Sequence, residues 1–408
     1  MIQIQDAYDL LDQHVSTMPT ETTPLAAAVG RVLAEDVTAD VDSPPHDKSV
    51  MDGFAVRSSD IAQGLKRLEV VETIVAGDWP NQSLESGQAA KIMTGAPLPP
   101  GADAVVMVER TQSDESNNQH WVTLDIESLA AEKHVLRCGE NFKKGQTVFS
   151  KSHVVRPTDV GLLAEVGAAA VSTGGKPNVA VLPTGTELVD CSSFPGRGQI
   201  RNSNGPMLVA MAQNCGLDVT DLGVGPDQTD ALRKLIRQGL NHDLLLLSGG
   251  VSAGKMDLVP GILRELGVRQ VFHKVCVKPG KPIWFGVREG EAKTTYVFGL
   301  PGNPVSSLVG YQLFVRAAIM KMTGRSMKMQ PAIGELSAAH QTRGNRPTYW
   351  PAKRVNDGTS VRKFHPLDWR GSSDLFALGE AEGLIFFPAD TNQHPVGEQV
   401  QFFPFSDE

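Results

Sequence analysis

Residues 243–257 read DLLLLSGGVSAGKMD. A short, wholly apolar run that stops at a pair of glycines is the pattern of a strand buried on both faces, as in a parallel sheet. To either side the pattern alternates. The strand-like NVAVL (178–182) meets PTGTEL, and a helix around Met207 to Cys215 ends at Gly216. LDVTDLGV then leads to the helical TDALRKLIRQGL. Strands and helices alternating from Asn178 to about Thr323 predict a parallel sheet with helices on both faces, a three-layer α/β domain. In such sheets ligands bind beyond the carboxyl ends of the strands. The loops after those ends are PTGTE, GPD, SGGVSAGKMD and LPGNP, made of small residues, acids and little else.

The rest of the chain is patterned differently. Apolar positions at helical spacing from Gln5 to Val15 predict an amphipathic helix, and Pro24 signals a second, around Leu25 to Leu33. VDSPPHDKS (41–49) reads as a linker. Between Gly53 and Gln146, short β-like runs such as LEVVETIVA, AVVMVE and WVTLDI predict a small all-β module. Another helix is expected around Thr158 to Val171. The last eighty or so residues, with TYWPAKRV, GLIFFP and EQVQFF, predict a separate small β-barrel or sandwich.

At about 150 residues per domain, 408 residues make two or three domains. A hydrophobic fraction of 41% with 21% charged residues excludes a disordered chain or a coiled coil. Lys plus Arg is 38 against 46 for Asp plus Glu, a net charge of −8. That balance lacks the basic field that nucleic acid or an anionic membrane surface requires. Four cysteines without C-x-x-C spacing predict a reducing compartment. No apolar run approaches the roughly 18 residues that span a bilayer, and the acidic N-terminus is unlike a signal peptide. A cytoplasmic protein is expected.

Several motifs carry chemistry. GGVSAGK (249–255) nearly matches a phosphate-binding P-loop, but Met256 stands where a hydroxyl must ligate magnesium. Backbone N–H groups at Gly249, Gly250 and Ser252 still suit a phosphate; a tight turn needing glycine is the alternative. Glu187, Asp227 and Asp257 recur at strand ends, and three carboxylates in one cleft call for a cation, with magnesium the expected one. Singly, Asp227 and Asp257 also read as helix N-caps. Lys278 and Lys281 in VKPGKP are held by prolines and suit an oxyanion, or are solvated surface lysines. LPGNP, with Pro301 and Pro304, precedes a helix from Val305 to about Met322. In the β-module, SVMDGFAV and IMTGAPLPPGAD offer Asp52 and Thr94, although Asp-Gly also marks a hairpin turn. His46, His273 and His365 show no metal-ligand spacing.

Taken together, SVMDGFAVR, IMTGAPLPPGADAVVMVE, PTGTEL, LLLLSGGVSAGKMD, VKPGKP and FGLPGNPVSS occur in one order across nearly the whole chain. In that order they resemble the molybdopterin molybdenumtransferase family, called MoeA in bacteria and similar to the E domain of gephyrin. The resemblance implies an α/β multidomain homodimer. Residues 1–42 and 145–176 would form a helical domain, 43–144 an inserted β-module, 177–327 the α/β domain and 328–408 a β-barrel. It further implies a reaction of adenylylated molybdopterin with molybdate that releases AMP and yields molybdenum cofactor, supplied by an upstream molybdopterin adenylyltransferase.

By the same resemblance, Asp52 and Thr94 face the substrate from the partner subunit, in an active site shared between subunits. Glu187, Asp227 and Asp257 handle the metal and the nucleotide, while Lys278 and Lys281 with Pro301 and Pro304 shape the molybdate and pterin side. Arg346 and Ser372 resemble the family's anion-binding pair. Two positions depart from the family pattern: Asn141 in RCGENF stands where an Asp is usual, and Lys48 where an Asn is common. Competing readings are a pterin- or nucleotide-binding relative of the α/β domain alone, adenylyltransferase-like or CinA-like, and a non-enzymatic dimeric scaffold.

Overall fold

The computed structural model describes residues 1–116, 119–251, 258–291, 293–358 and 360–406. They divide into two compact units, one of Met1–Thr22, Gly30–Ala34 and Ser172–Glu408, the other of Thr23–Val29 and Glu35–Val171.

The first unit is built on a six-stranded sheet in the order Asp218–Asp221, Asn178–Pro183, Leu244–Ser248, Thr294–Leu300, Trp284–Glu289, Arg269–His273. The first four strands are parallel. Trp284–Glu289 runs against both its neighbours; against Thr294–Leu300 it must, because residues 290–293 are too few for the crossover of about a dozen that a parallel connection needs. Alternate residues serve opposite layers. Val179, Val181, Leu244, Leu246 and Phe298 join a core with Ala7 and Leu11 of helix Ile4–His14 and Leu208 of helix Asn204–Asn214. Ala180, Leu182, Leu245, Leu247 and Val297 meet Leu232 and Ile236 of helix Thr229–Gly239 and Ile262 of helix Val259–Glu265. All four leucines of 244–247 are fully buried, which explains their unbroken run. Each contributes about 1.5–3 kcal/mol as apolar surface leaves water.

The helix expected from Val305 runs from Pro304 to Met322, with a π turn at Tyr311–Val315 between two α segments. Its residues from Val305 to Ile319 are buried. A closed barrel follows, ordered Ala332–Leu336, Lys363–Pro366, Thr348–Val355, Gly383–Phe387, Gln399–Pro404. Stacked Phe364 and Phe402, with ring centroids 4.3 Å apart, lie in its interior cluster with Ile385 and Phe387.

The second unit holds a six-stranded sheet in the order Ala104–Met107, Gly53–Val56, Gln88–Ile92, Arg67–Ile74, Gln119–Leu124, Thr111–Ser116. Alternation again divides it: Phe54, Val56, Leu68, Val106 and Val122 form one cluster, Ala55, Ile74, Ala90, Ile92 and Val105 the other. The segment read as a linker is laced into this unit. Ser43 N–H donates to the Phe142 carbonyl at 2.9 Å, and Lys48–Ser49 pairs with Val135–Leu136.

Two expected helices come out shorter. Leu25–Ala27 is a single 3-10 turn, after which Gly30 adopts φ +79°. Asp159–Glu165 stops before Gly167, whose φ is +82° and where a Cβ would stand 2.3 Å from Asp40 Oδ2. The apolar alanines beyond it extended the sequence pattern without extending the helix. Among the described residues, no helix is long and apolar enough to cross a membrane.

Candidate active site

The loops after the parallel strands are tied to one another by backbone hydrogen bonds. Thr184 N–H donates to the Ser248 carbonyl at 2.8 Å, Gly185 to Gly225 at 3.0 Å, and Gly249 to Leu300 at 3.0 Å. Gly249 (φ +89°) and Gly250 (φ +62°) are required by this closeness. A Cβ on the first would stand 2.5 Å from the Thr184 carbonyl oxygen, and on the second 2.9 Å from Thr184 Oγ1. The glycines therefore do serve a tight turn.

Asp227 is not a helix cap. Helix Thr229–Gly239 has Gln228 at its N-cap, with no side-chain capping bond. The Asp227 carboxylate instead accepts from Thr186, from N–H at 3.1 Å and Oγ1 at 3.2 Å, both on Oδ2. This fastens GPD to PTGTE. Glu187 lies on the same loop, its carboxylate folded back so that a Cβ at Gly185 would be 2.6 Å from Oε2. Asp257 and Ser252 lie outside the described residues. Among the described residues, no group of three or more His, Cys, Asp or Glu is placed to hold a metal ion. The donors present, Glu187 and Asp227, are hard oxygens on adjoining loops. They suit magnesium, which takes one or two carboxylates and completes its shell with phosphate and water oxygens.

Asn204, which the sequence reading missed, joins two of these loops. Its Nδ2 donates to Ser248 Oγ at 2.8 Å and to the Gly302 carbonyl at 2.7 Å, and its buried Oδ1 has no partner. The only sequence signal was its place in the polar GQIRNSNG. From LPGNP the row continues. Asn303 Nδ2 donates to Ser372 Oγ at 2.8 Å, and Val305 N–H to the Ser372 carbonyl at 3.0 Å. Pro304 occupies the first turn of helix Pro304–Gly310, and Pro301 follows its strand directly. Across this helix start, a Cβ on Gly280 would stand 3.3 Å from the Ser306 carbonyl, which brings VKPGKP alongside.

Lys278 and Arg346, far apart in sequence, are brought together. Lys278 N–H donates to the Pro347 carbonyl (2.9 Å), and the Lys278 carbonyl accepts from Tyr349 N–H (2.8 Å). Arg346 Nη1 donates to the Val277 carbonyl at 2.7 Å, and Lys278 Nζ to the Arg343 carbonyl at 2.8 Å. Burial, then the positive charges of Arg346 and Arg343, hold the Lys278 ammonium below the usual lysine range. Lys281 is exposed at the end of the same loop. Arg343 had no signal in the sequence beyond being basic.

In the second unit, Asp52 and Thr94 are partners. Thr94 N–H and Oγ1 each donate to Asp52 Oδ1 at 2.7 Å, and these two bonds hold the Asp52 carboxyl below its ordinary range. They join SVMDG to IMTGAP, as do Gly95 N–H to the Ser49 carbonyl (2.8 Å) and Ser49 N–H to Ala96 (3.0 Å). Asn141 Nδ2 donates to Ser43 Oγ at 3.2 Å, a purely local link. His46 meets the edge of Trp79, and His365 Nδ1 is hydrogen-bonded to Ser337 Oγ at 3.0 Å. A separate cavity of about 500 Å³ on the barrel is lined by Lys353, His365, Arg370 and Phe376 among others. None of the expected site residues lines it.

Residues 2–167 match the MoeA N-terminal region (domain I and II), 180–321 a probable molybdopterin binding domain, and 334–405 the MoeA C-terminal region (domain IV). The chain is 32% identical over 406 residues to a molybdopterin molybdenumtransferase of Staphylococcus aureus, covering 98% of this chain and 94% of that one. It is 34% identical over 387 residues to one of Bacillus subtilis, covering 94% and 89%. Its fold is similar to that of a molybdopterin biosynthesis MoeA protein from Pyrococcus horikoshii, with a TM-score of 0.84, 29% identity and full coverage of both chains. With three successive regions matched and near full-length relatives above 30% identity, the chain belongs to the MoeA family of molybdopterin molybdenumtransferases.

Proposed function

We propose that this chain is a molybdenum insertase, converting adenylylated molybdopterin and molybdate to molybdenum cofactor with release of AMP. The observation that carries this reading is a row of hydrogen-bonded loops along the carboxyl ends of the strands, joined at its middle by Thr184 N–H to the Ser248 carbonyl. It runs from Asp227–Thr186 through Ser248–Asn204–Gly302 to Asn303–Ser372. Acids stand at its start, and Lys278 and Arg346 lie on the loops packed beside its end. That polarity matches a substrate with a phosphoanhydride at one end and an incoming oxyanion at the other. Relatives that share only the α/β domain have no counterpart of the matched 2–167 and 334–405 regions.

In this reading the backbone N–H groups of Gly249 and Gly250, with Ser252, receive a phosphate. Glu187 and Asp227, with Asp257, would hold a magnesium ion, which would neutralise charge on the phosphoanhydride oxygens. Lys278, Lys281, Arg346 and Ser372 seat molybdate, a compact dianion that fixed cations recognise well, and Pro301 and Pro304 shape the wall beside it. Asp52 and Thr94 of the partner subunit complete the site in a homodimer, with the four domains bounded as read from the sequence. In this reading a molybdopterin adenylyltransferase supplies the substrate, and the reaction runs in the cytoplasm.

The test incubates the purified chain with adenylylated molybdopterin and molybdate, with and without magnesium, following AMP release and active cofactor together. Release of AMP coupled to cofactor formation is expected. Binding of the substrate with no AMP released overturns the insertase reading in favour of a scaffold.

A further inference from the structure

We propose that the cavity of about 500 Å³ on the barrel holds a phosphate monoester carried on a planar nitrogen heterocycle. The choice of ligand rests on the reading above, because both products of that reaction, the pterin and AMP, are of this kind. The volume is that of an ordinary small-molecule site. Two of the lining residues, Lys353 and His365, are cross-strand partners in the barrel, and the others come from the segment 367–380.

Three of the charged side chains around the cavity are already engaged. Lys353 Nζ pairs with Glu380 Oε2 at 2.6 Å, and Asp374 Oδ2 accepts from Arg370 N–H, within its own turn, at 3.0 Å. Three remain for a ligand. His365 Nδ1 is bonded to Ser337 Oγ at 3.0 Å, which leaves Nε2. The Arg370 guanidinium and the Asp368 carboxylate make no side-chain hydrogen bond or ion pair among the described residues. Phe376, 92% exposed, lines the same space.

Each of these groups answers one part of such a ligand. Arg370 and His365 suit the phosphate, and the open ring of Phe376 offers a face for stacking a heterocycle. Asp368 accepts from the N–H edge of that heterocycle. A carboxylate grips two parallel N–H groups best; the 2-amino-4-oxo edge of a pterin presents two, whereas adenine presents one amino group. The pterin is therefore the tighter ligand. The segment 367–380 also carries Ser372, where the row of loops ends. A ligand on Arg370 and Phe376 thus grips the short stretch of chain that closes the row.

Equilibrium dialysis of the full chain against neopterin monophosphate and AMP, with unphosphorylated neopterin and inorganic phosphate as the separate parts, tests this. Neopterin monophosphate is expected to bind more tightly than AMP, and both more tightly than the parts. Arg370→Gln should weaken both phosphorylated ligands roughly tenfold and neopterin little. Phe376→Ala should weaken the three ring-bearing ligands by about the same factor and spare phosphate, and Asp368→Asn should remove the preference for the pterin. All three residues are exposed, so the fold should tolerate the changes. Lys278→Gln, in the strand-end site, controls for binding there. Unchanged affinity in Arg370→Gln and Phe376→Ala overturns the proposal, as does an equal loss in Lys278→Gln. Binding of AMP alone with the stated dependence supports the site and assigns it to the nucleotide. A wild-type chain that binds none of the ligands overturns the site, while the AMP-release assay still decides the insertase reading. Binding with the stated dependence and no AMP release supports the site and overturns the reaction.

Discussion

Asp227 shows how much one carboxylate is used. Its Oδ2 takes two donors from Thr186, which an Asn side-chain carbonyl would also accept. Asp227→Asn should therefore leave thermal unfolding unchanged while removing the charge assigned to the metal and nucleotide. Turnover should fall at least about a hundredfold, in line with losing a charge that stabilises developing phosphate charge; single-turnover AMP release measures it. Asn204 is the opposite case. Its amide bridges the Ser248 hydroxyl and the Gly302 carbonyl from a buried position. Asn204→Ala removes both bonds, leaving Ser248 Oγ with the Pro301 carbonyl alone, and should destabilise the protein by about 1 kcal/mol in urea unfolding. Asp227 was visible in the sequence because an acid at a strand end is conspicuous. Asn204 was not, because its importance lies in what surrounds it rather than in its type.

Elements were legible to the extent that their pattern is periodic. Leu244–Ser248 and Asn178–Pro183 were readable because Leu244 to Leu247 and Val179 to Leu182 alternate between two covered layers. The reversal of Trp284–Glu289 was not, since the short connection 290–293 dictates direction only once Trp284–Glu289 and Thr294–Leu300 are known to be paired strands. The glycines of the loop after Leu244–Ser248 lead to a test: Gly249→Ala adds a Cβ 2.5 Å from the Thr184 carbonyl at a φ of +89°. Loss of soluble protein, or of AMP release, is expected, and wild-type behaviour would show that this turn tolerates a side chain. The barrel supplies a pH effect. His340 packs against Trp350 and Phe387, and burial, then the charge of His394, lowers its pKa from 6.5 to about 4. A histidine depressed in the folded state is neutral there while the unfolded chain protonates, so stability present above about pH 6.5 is lost as pH falls toward 4. His340→Phe should flatten that part of the stability profile in denaturant titrations. An identical slope would place the acid sensitivity elsewhere.

For the assembled protein, the homodimer proposed above makes a distinct demand. If Asp52 and Thr94 act on the partner's strand-end site, an Asp52→Ala chain and an Asp227→Asn chain, each inactive alone, should regain activity when mixed and allowed to exchange. One site of each mixed dimer is then intact. Light scattering at the mass of a monomer, or no recovery on mixing, would count against a site shared between subunits.

The residues alone were enough for the α/β class, the β-module, the barrel and, among the described residues, Glu187, Asp227, Lys278 and Lys281 at loop positions. Each of these follows from local periodicity, turn chemistry or residue type, which act over a few neighbours. They were not enough to pair Lys278 with Arg346, to turn Asp227 from a helix cap into the clasp of Thr186, or to place Asn204 between two loops. Those outcomes depend on which strand ends and loops pack together across tens to hundreds of residues, and short-range patterns carry no information about such long-range closure.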